Sequence, residues 1–137
     1  MVHALRQIHR SLRPDGLLLD VHPQPVNPRV EVRQGGLVHD LGEIDAHEDN
    51  REVEDARIQL EVLVREGLFS QEATDFFDWC EHHDSVAGWQ ERLASEEWGL
   101  VAPPEMIETA QRLLSSGGGE LVIKLQVRAT RLRRLAG

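Results

Sequence analysis

The chain has 137 residues, of which 40% are hydrophobic and 28% are charged, and its formal net charge is −9. This balance is typical of one globular α/β domain over residues 1–137, and no segment is long and apolar enough to predict a membrane span or a secretory signal. The acidic excess disfavours nucleic-acid and membrane partners, and the single cysteine, Cys80, excludes an internal disulfide and fits a cytoplasmic location.

The chain opens with a predicted helix and a short predicted strand. Apolar residues recur at helical spacing near residues 3–13, which predicts an amphipathic helix. Pro14 ends this helix, and Asp15 and Gly16 are predicted to form a turn because glycine accepts a positive φ without strain. The apolar run near residues 17–22 is too short for a helix and predicts a strand buried on both faces, as in a parallel sheet.

A β-hairpin and a long helix are predicted next. Two short alternating segments with a glycine turn between them predict a hairpin over residues 29–41. Both segments are polar on one face, so we expect the hairpin to lie over another element and not in the main sheet. Apolar residues at helical spacing predict a helix near residues 48–67, and Leu68 and Phe69 are predicted to begin a linker.

The periodicity of residues 75–83 does not decide between a strand and a helix. The aromatic residues in this segment favour a strand, whereas helical spacing would gather several of them on one face. Two helices are predicted after it, near residues 85–95 and 104–115. A glycine break at residues 117–119 then leads into a long alternating strand near residues 120–132, with one apolar and one mostly polar face.

The sequence LRPDG followed by LLLDVHP, residues 12–23, resembles the approach to the fifth strand of class I S-adenosylmethionine-dependent methyltransferases. That family usually has two glycines after the proline, so Asp15 departs from its pattern. The resemblance implies a partial Rossmann-like methyltransferase fold with a small mixed sheet. Residues 17–22, 75–83 and 120–132 would be strands five, six and seven, and the seventh would lie antiparallel between the other two. On this analogy residues 75–83 form a strand.

The resemblance covers only the C-terminal half of the family's domain. The family binds its cofactor with a glycine-rich turn after strand one and an acidic residue after strand two, and no G-x-G-x-G occurs here, so no cofactor-binding residue is assigned. The expected function is therefore methyltransferase-related. The isolated chain would be inactive, either because another chain completes the S-adenosylmethionine site or because that site has been lost. The alternative is a non-catalytic module for dimerisation or small-ligand binding.

The missing half also predicts a partner. In the resembled fold strand five pairs with strand four, so strand 17–22 would have an unpaired edge here, and such an edge readily pairs with another chain. Three segments could cover it: the same strand of a second copy, hairpin 29–41 folded back, or a polypeptide that carries the missing half. We expect a homodimer through the edge of strand 17–22.

His22 and Asp20 are the candidate catalytic residues. They lie two positions apart, so they share a strand face, at the carboxyl end where open α/β sheets bind ligands. His22 would act as a general base, and the alternative is a histidine hydrogen-bonded to the following loop. No metal site is expected. Two groups contain metal-binding residue types, but the spacing of neither matches a familiar site. The first is Cys80, His82, His83 and Asp84, and the second is His22, His39, Asp40, Asp45 and His47.

Overall fold

A computed structural model describes residues 2–136, which form four helices and five strands. All the predicted helices and strands are confirmed, including the strand over residues 75–83. That strand begins at Phe69, earlier than predicted, so Leu68 lies in the linker as expected but Phe69 does not. The elements are α1 (Val2–Ser11), β1 (Leu17–Pro23), β2 (Arg29–Gln34), β3 (Leu37–Glu43), α2 (His47–Arg65), β4 (Phe69–His83), α3 (Val86–Leu93), α4 (Pro104–Ser115) and β5 (Glu120–Arg134).

The α/β class is confirmed, but the predicted small mixed sheet is wrong. The five strands form one sheet in the order β1-β5-β2-β3, with β4 also paired to β5. Strand β5 runs antiparallel to β1, with Leu19 opposite Arg131, and antiparallel to β2, with Val32 opposite Leu121. Strands β2 and β3 are antiparallel as well.

The hairpin β2–β3 lies in this sheet, so the prediction that it covers another element is wrong. Val30 and Val32 of β2 are fully buried and lie opposite Ile123 and Leu121 of β5. In the sheet, the apolar face of β2 is packed against residues of α3 and α4, such as Trp89 and Met106, and is thereby removed from water. The hairpin therefore does not cover the edge of β1.

The chain divides into two compact units. The first unit contains the residues up to Pro25, residues Glu48–Phe77 and the residues from Gln126 onward, and the second contains Val26–His47 and Asp78–Leu125. The first has ten basic and eleven acidic residues, whereas the second has five basic and thirteen acidic residues, so the second holds −8 of the net charge of −9. The single domain over residues 1–137 stays a prediction.

In the first unit, helices α1 and α2 pack against one face of the sheet. Their apolar residues meet those of β4 and β5 at the helical and strand spacings that the sequence predicts. His9 of α1 is also buried, and its ring lies edge-on to Phe69 with the centroids 5.2 Å apart. The buried core residues of this unit are Leu5, Leu60, Leu63, Phe69 and Leu132.

In the second unit, helices α3 and α4 cover the apolar face of β2 and of the first part of β5. Trp89 of α3 is fully buried in this core. The hydroxyl of Ser85 caps α3 by accepting a hydrogen bond from the Gly88 amide at 3.1 Å. The side-chain amide of Gln34 donates to the carbonyl oxygens of Leu113 and Gly118 near the end of α4, at 3.0 and 2.8 Å. These bonds satisfy groups that a helix end leaves without partners.

Strand β1 is not buried on both faces, which corrects the prediction for residues 17–22. Leu17, Leu19 and Val21 are 50%, 65% and 51% exposed on one face. The strand that is buried on both faces is β5, in which Leu121, Val122 and Ile123 are all fully buried. The core of the first unit packs against Leu18 on one face of β1, and the face that carries Leu17, Leu19 and Val21 stays largely exposed.

The turn before β1 uses its two residues differently from the prediction. Asp15 has the positive φ, 59°, and Gly16 does not. A Cβ atom on Gly16 would lie 2.7 Å from the carbonyl oxygen of Arg13, so this position needs glycine for space. Aspartate tolerates the left-handed conformation better than most residues, which is why Asp15 can take it.

An ion pair in the second unit predicts a pH dependence of stability. The Glu81 carboxylate accepts a hydrogen bond from Nε of Arg92 at 2.7 Å. Burial alone would raise the pKa of Glu81, but the hydrogen bond and charge of Arg92 outweigh it and lower that pKa below 4.5. The folded-state pKa is thus below the unfolded value. The ionised carboxylate stabilises the fold above pH 4.5, and this contribution is lost as the pH falls through the lowered pKa.

We therefore expect the urea midpoint of the native chain to fall more steeply below pH 4.5 than that of Glu81→Gln. Urea unfolding at a series of pH values checks this. Glu91→Gln is the matched control, because Glu91 is exposed on α3 and makes no described ion pair. Parallel pH curves for the native chain and Glu81→Gln would contradict the prediction.

Candidate functional site

The candidate site is a row of polar side chains on the face of β1 and β5 that α1 and α2 partly cover. Asp20 lies opposite Thr130, and His22 lies opposite Arg128, so all four side chains share one face of the sheet. We call these four residues the polar row. It follows directly after half-buried Leu18 on the same strand face, so the face changes from apolar to polar along β1.

The two predicted catalytic residues meet within the polar row. Nδ1 of His22 lies 2.8 Å from Oδ2 of Asp20, and the side chains are only 20% and 25% exposed. Oδ2 accepts no hydrogen bond in the described chain, so this is a close approach of ring and carboxylate without hydrogen-bond geometry. A carboxylate beside Nδ1 can stabilise the imidazolium that forms when a histidine accepts a proton from a ligand.

Arg128 and Thr130 were not assigned to a site from the sequence. Nε of Arg128 donates to the hydroxyl of Thr130 at 3.1 Å, and Thr130 is fully buried. Within residues 2–136 Arg128 forms no ion pair, so its guanidinium charge is not neutralised by direct contact with a carboxylate. Directly after β1, the side-chain Nε2 of Gln24 is buried and has no hydrogen-bond partner. Alternation places Arg128 and Thr130 on one face of β5, but only the register shows that His22 and Asp20 lie opposite.

The glycine-rich segments do not form a cofactor loop. Gly35 and Gly36 form the tight turn between β2 and β3, where both have a positive φ. Residues Gly117, Gly118 and Gly119 lead from α4 into β5. Neither segment connects a strand to the start of a helix, which is the position of a phosphate- or nucleotide-binding turn. We assign no described residue to cofactor binding.

Two of the histidines considered as metal ligands, His82 and His83, contact carboxylates. Nδ1 of His82 lies 3.1 Å from Glu120, and Nε2 of His83 lies 3.1 Å from Glu81. Cys80 is a partly buried free thiol. Throughout the described part of the chain, no three cysteine, histidine or acidic side chains are grouped so that they could hold a metal ion.

A shallow groove lies on the outer face of α1 in the first unit. It is lined by Ala4, Gln7, Ile8, Ser11 and Leu12 and has a volume of about 400 Å³. None of these side chains is titratable, so the groove offers no group for acid–base chemistry. The polar row is therefore the stronger candidate for a chemical function.

Neither the helices nor the comparison with known proteins assigns a function to the chain. Among residues 2–136, no helix combines the length and the apolar character that crossing a bilayer requires. Compared with known proteins, the chain matches no protein-family model, no curated protein and no solved structure.

Proposed function

We propose that this chain is the C-terminal half of a methyltransferase-like domain and that another chain completes its S-adenosylmethionine site. The observation that carries the proposal is the place of β5, which pairs with both β1 and β4 and runs antiparallel to β1. The resembled family ends with a strand in this position. The order of α1, β1, α2, β4, α3, α4 and β5 also agrees with the order that the resemblance implies.

The hairpin β2–β3 departs from that pattern. It follows β1 directly and pairs with β5 through β2, whereas the resembled pattern has no strand pair there. The proposal therefore rests on the other seven elements and treats the hairpin as an addition.

The polar row gives the chain a part in the proposed reaction. The cofactor, when bound, supplies a methyl group on a positively charged sulfur. His22 would accept the proton from a hydroxyl or amine of the acceptor, and the bound cofactor would supply the methyl group that replaces that proton. Asp20, 2.8 Å from the ring, stabilises the resulting imidazolium. The remaining acceleration comes from holding acceptor and donor in line.

The test begins with the partner and ends with cofactor binding. A tagged form of the full chain is purified from its source cells, and co-purifying proteins are identified by mass spectrometry. We expect one to contain a glycine-rich strand-turn-helix. The complex rebuilt from the two chains should release heat with S-adenosylmethionine or its demethylated product, whereas the isolated chain should not. The proposal would be contradicted if no such partner co-purified, or if the rebuilt complex released no heat with S-adenosylmethionine or its demethylated product.

The role of His22 has its own control. In the rebuilt complex His22→Ala should retain cofactor binding and lose methyl transfer, whereas His39→Ala should retain both. His39 lies on β3, in the other compact unit, and belongs to no described ion pair. Equal activity of the two variants would remove His22 from the reaction.

The alternative function is a non-catalytic module that binds a small ligand or dimerises. Two observations favour it: Arg128 has no ion pair among the described residues, and the side-chain amide of Gln24 is buried without a hydrogen-bond partner. Both groups donate hydrogen bonds. Such donors suit a small carboxylate or phosphate ligand. Calorimetric binding of such an anion to the isolated chain, with loss of that binding in Arg128→Gln, would favour this alternative.

A further inference from the structure

The exposed face of β1 is apolar and lies in the first unit, whose net charge is close to zero. Leu17, Leu19 and Val21 are each at least 50% exposed and follow one another at every second position of the strand. A row of three large apolar side chains on an edge strand is a surface that proteins usually cover. The unit that contains β1 has ten basic and eleven acidic residues, so it does not strongly repel a second copy of itself.

The backbone of the same three residues points away from β5. The backbone N–H of Gln24 donates to the backbone carbonyl of Gln126 at 2.7 Å, and the backbone N–H of Arg134 donates to that of Gly16 at 2.8 Å. In an antiparallel pair, the residues that bond to the partner strand alternate with those that do not. The even-numbered residues of β1 therefore bond to β5. The N–H and C=O groups of Leu17, Leu19 and Val21 point to the outer edge, where the described chain has no strand.

The edge also lacks the features that usually prevent pairing. Natural edge strands are often protected by lysine, by proline or by a β-bulge. Strand β1 has no lysine, its proline is the final residue, Pro23, and its register with β5 has no shift. The hairpin does not cover the edge, because β2 pairs with β5.

We propose that two copies of this chain dimerise by antiparallel pairing of their β1 strands, with Leu19 of one copy opposite Leu19 of the other. In this register Leu17 lies opposite Val21 of the second copy at both ends. Each of the three pairs exchanges two backbone hydrogen bonds, about six in total. On the exposed face, the six apolar side chains form one continuous row across the two-fold axis.

Neighbouring registers are less favourable. Moving the strands so that Leu19 faces Val21 would place Asp20 directly opposite Asp20 of the second copy, and like charges in that position destabilise a strand pair. A further shift would centre the pair on Val21 and place Leu19 opposite Pro23, which has no N–H to donate. The register centred on Leu19 avoids both costs.

This inference goes beyond the proposed function and does not rest on it. A chain that carries the missing half would use the same edge of β1, so it and the second copy exclude each other. We expect such a partner to dissociate the dimer. A monomeric chain would overturn the proposed dimer but not the proposed function. A dimeric chain for which no cofactor-binding partner exists would overturn the proposed function but not the dimer.

The first test is the mass of the chain in solution. Size-exclusion chromatography with light scattering should give twice the 15.5 kDa of one chain. Leu19→Lys should halve that mass, because it places two lysines opposite each other at the two-fold axis. Leu37→Lys is the matched control, because Leu37 is 64% exposed on β3 and Leu19 is 65% exposed on β1. A monomeric native chain, or a dimer that Leu19→Lys leaves intact, would overturn the proposal.

The second test reads the register. In a Cys80→Ser background, Leu19→Cys should form a disulfide between two copies under mild oxidation, since directly opposite residues lie within disulfide reach. Leu17→Cys alone should not do so, but Leu17→Cys mixed with Val21→Cys should give a cross-linked heterodimer. Cross-linking of Leu17→Cys alone as efficiently as Leu19→Cys would show that the proposed register is wrong.

Discussion

Replacing Trp89 with alanine is expected to cost about 3–5 kcal/mol of the free energy of unfolding, the range for a large aromatic residue removed from a core. Trp89 is fully buried among the apolar residues of α3, α4, β2 and β5. A domain of this kind is stable by about 5–15 kcal/mol, so the variant should lose a large share of its stability. Urea unfolding followed by circular dichroism measures the loss.

Two controls separate packing from the loss of an aromatic residue in general. Trp79→Ala removes a side chain that is 56% exposed on β4 and should cost far less than Trp89→Ala. Trp89→Phe should cost less than Trp89→Ala because it keeps a ring in the cavity. It also removes the indole N–H, which is buried without a hydrogen-bond partner. Equal losses for Trp79→Ala and Trp89→Ala would contradict the assignment of the core.

The positions of helices and strands could be predicted from the sequence because they depend on local spacing. The helix near residues 48–67 was found from apolar residues three and four apart, and the structure forms it as His47–Arg65. The burial of β1 could not be predicted in the same way. An apolar run is compatible with two buried faces, and only the packing of the folded chain shows that the core covers the face of Leu18 and leaves Leu19 exposed.

The same distinction applies to the candidate site. His22 and Asp20 were predicted to share a face because side chains in a strand alternate with a period of two, and they lie 2.8 Å apart. Their neighbours Arg128 and Thr130 are more than a hundred positions away in the sequence. They join the site through the register of β1 with β5, which is a non-local property of the sheet.

Replacing Leu63 with alanine is expected to cost about 2–5 kcal/mol, because it leaves a cavity beneath α2 in the core of the first unit. Leu63 is fully buried there and belongs to the same core as Leu132 of β5. Alanine has the highest helix propensity, so the substitution does not weaken the helix itself. The measured loss therefore reports packing, and urea unfolding at neutral pH gives its size.

Ile58→Ala is the matched control on the same helix. Ile58 is 46% exposed, so its removal leaves no cavity, and the gain in helix propensity offsets part of the lost contact. We expect its free energy of unfolding to lie within about 0.5–1 kcal/mol of the native value. If Ile58→Ala were as destabilising as Leu63→Ala, α2 would have to present a different face to the sheet. The residues assigned to the core beside the polar row would then be wrong.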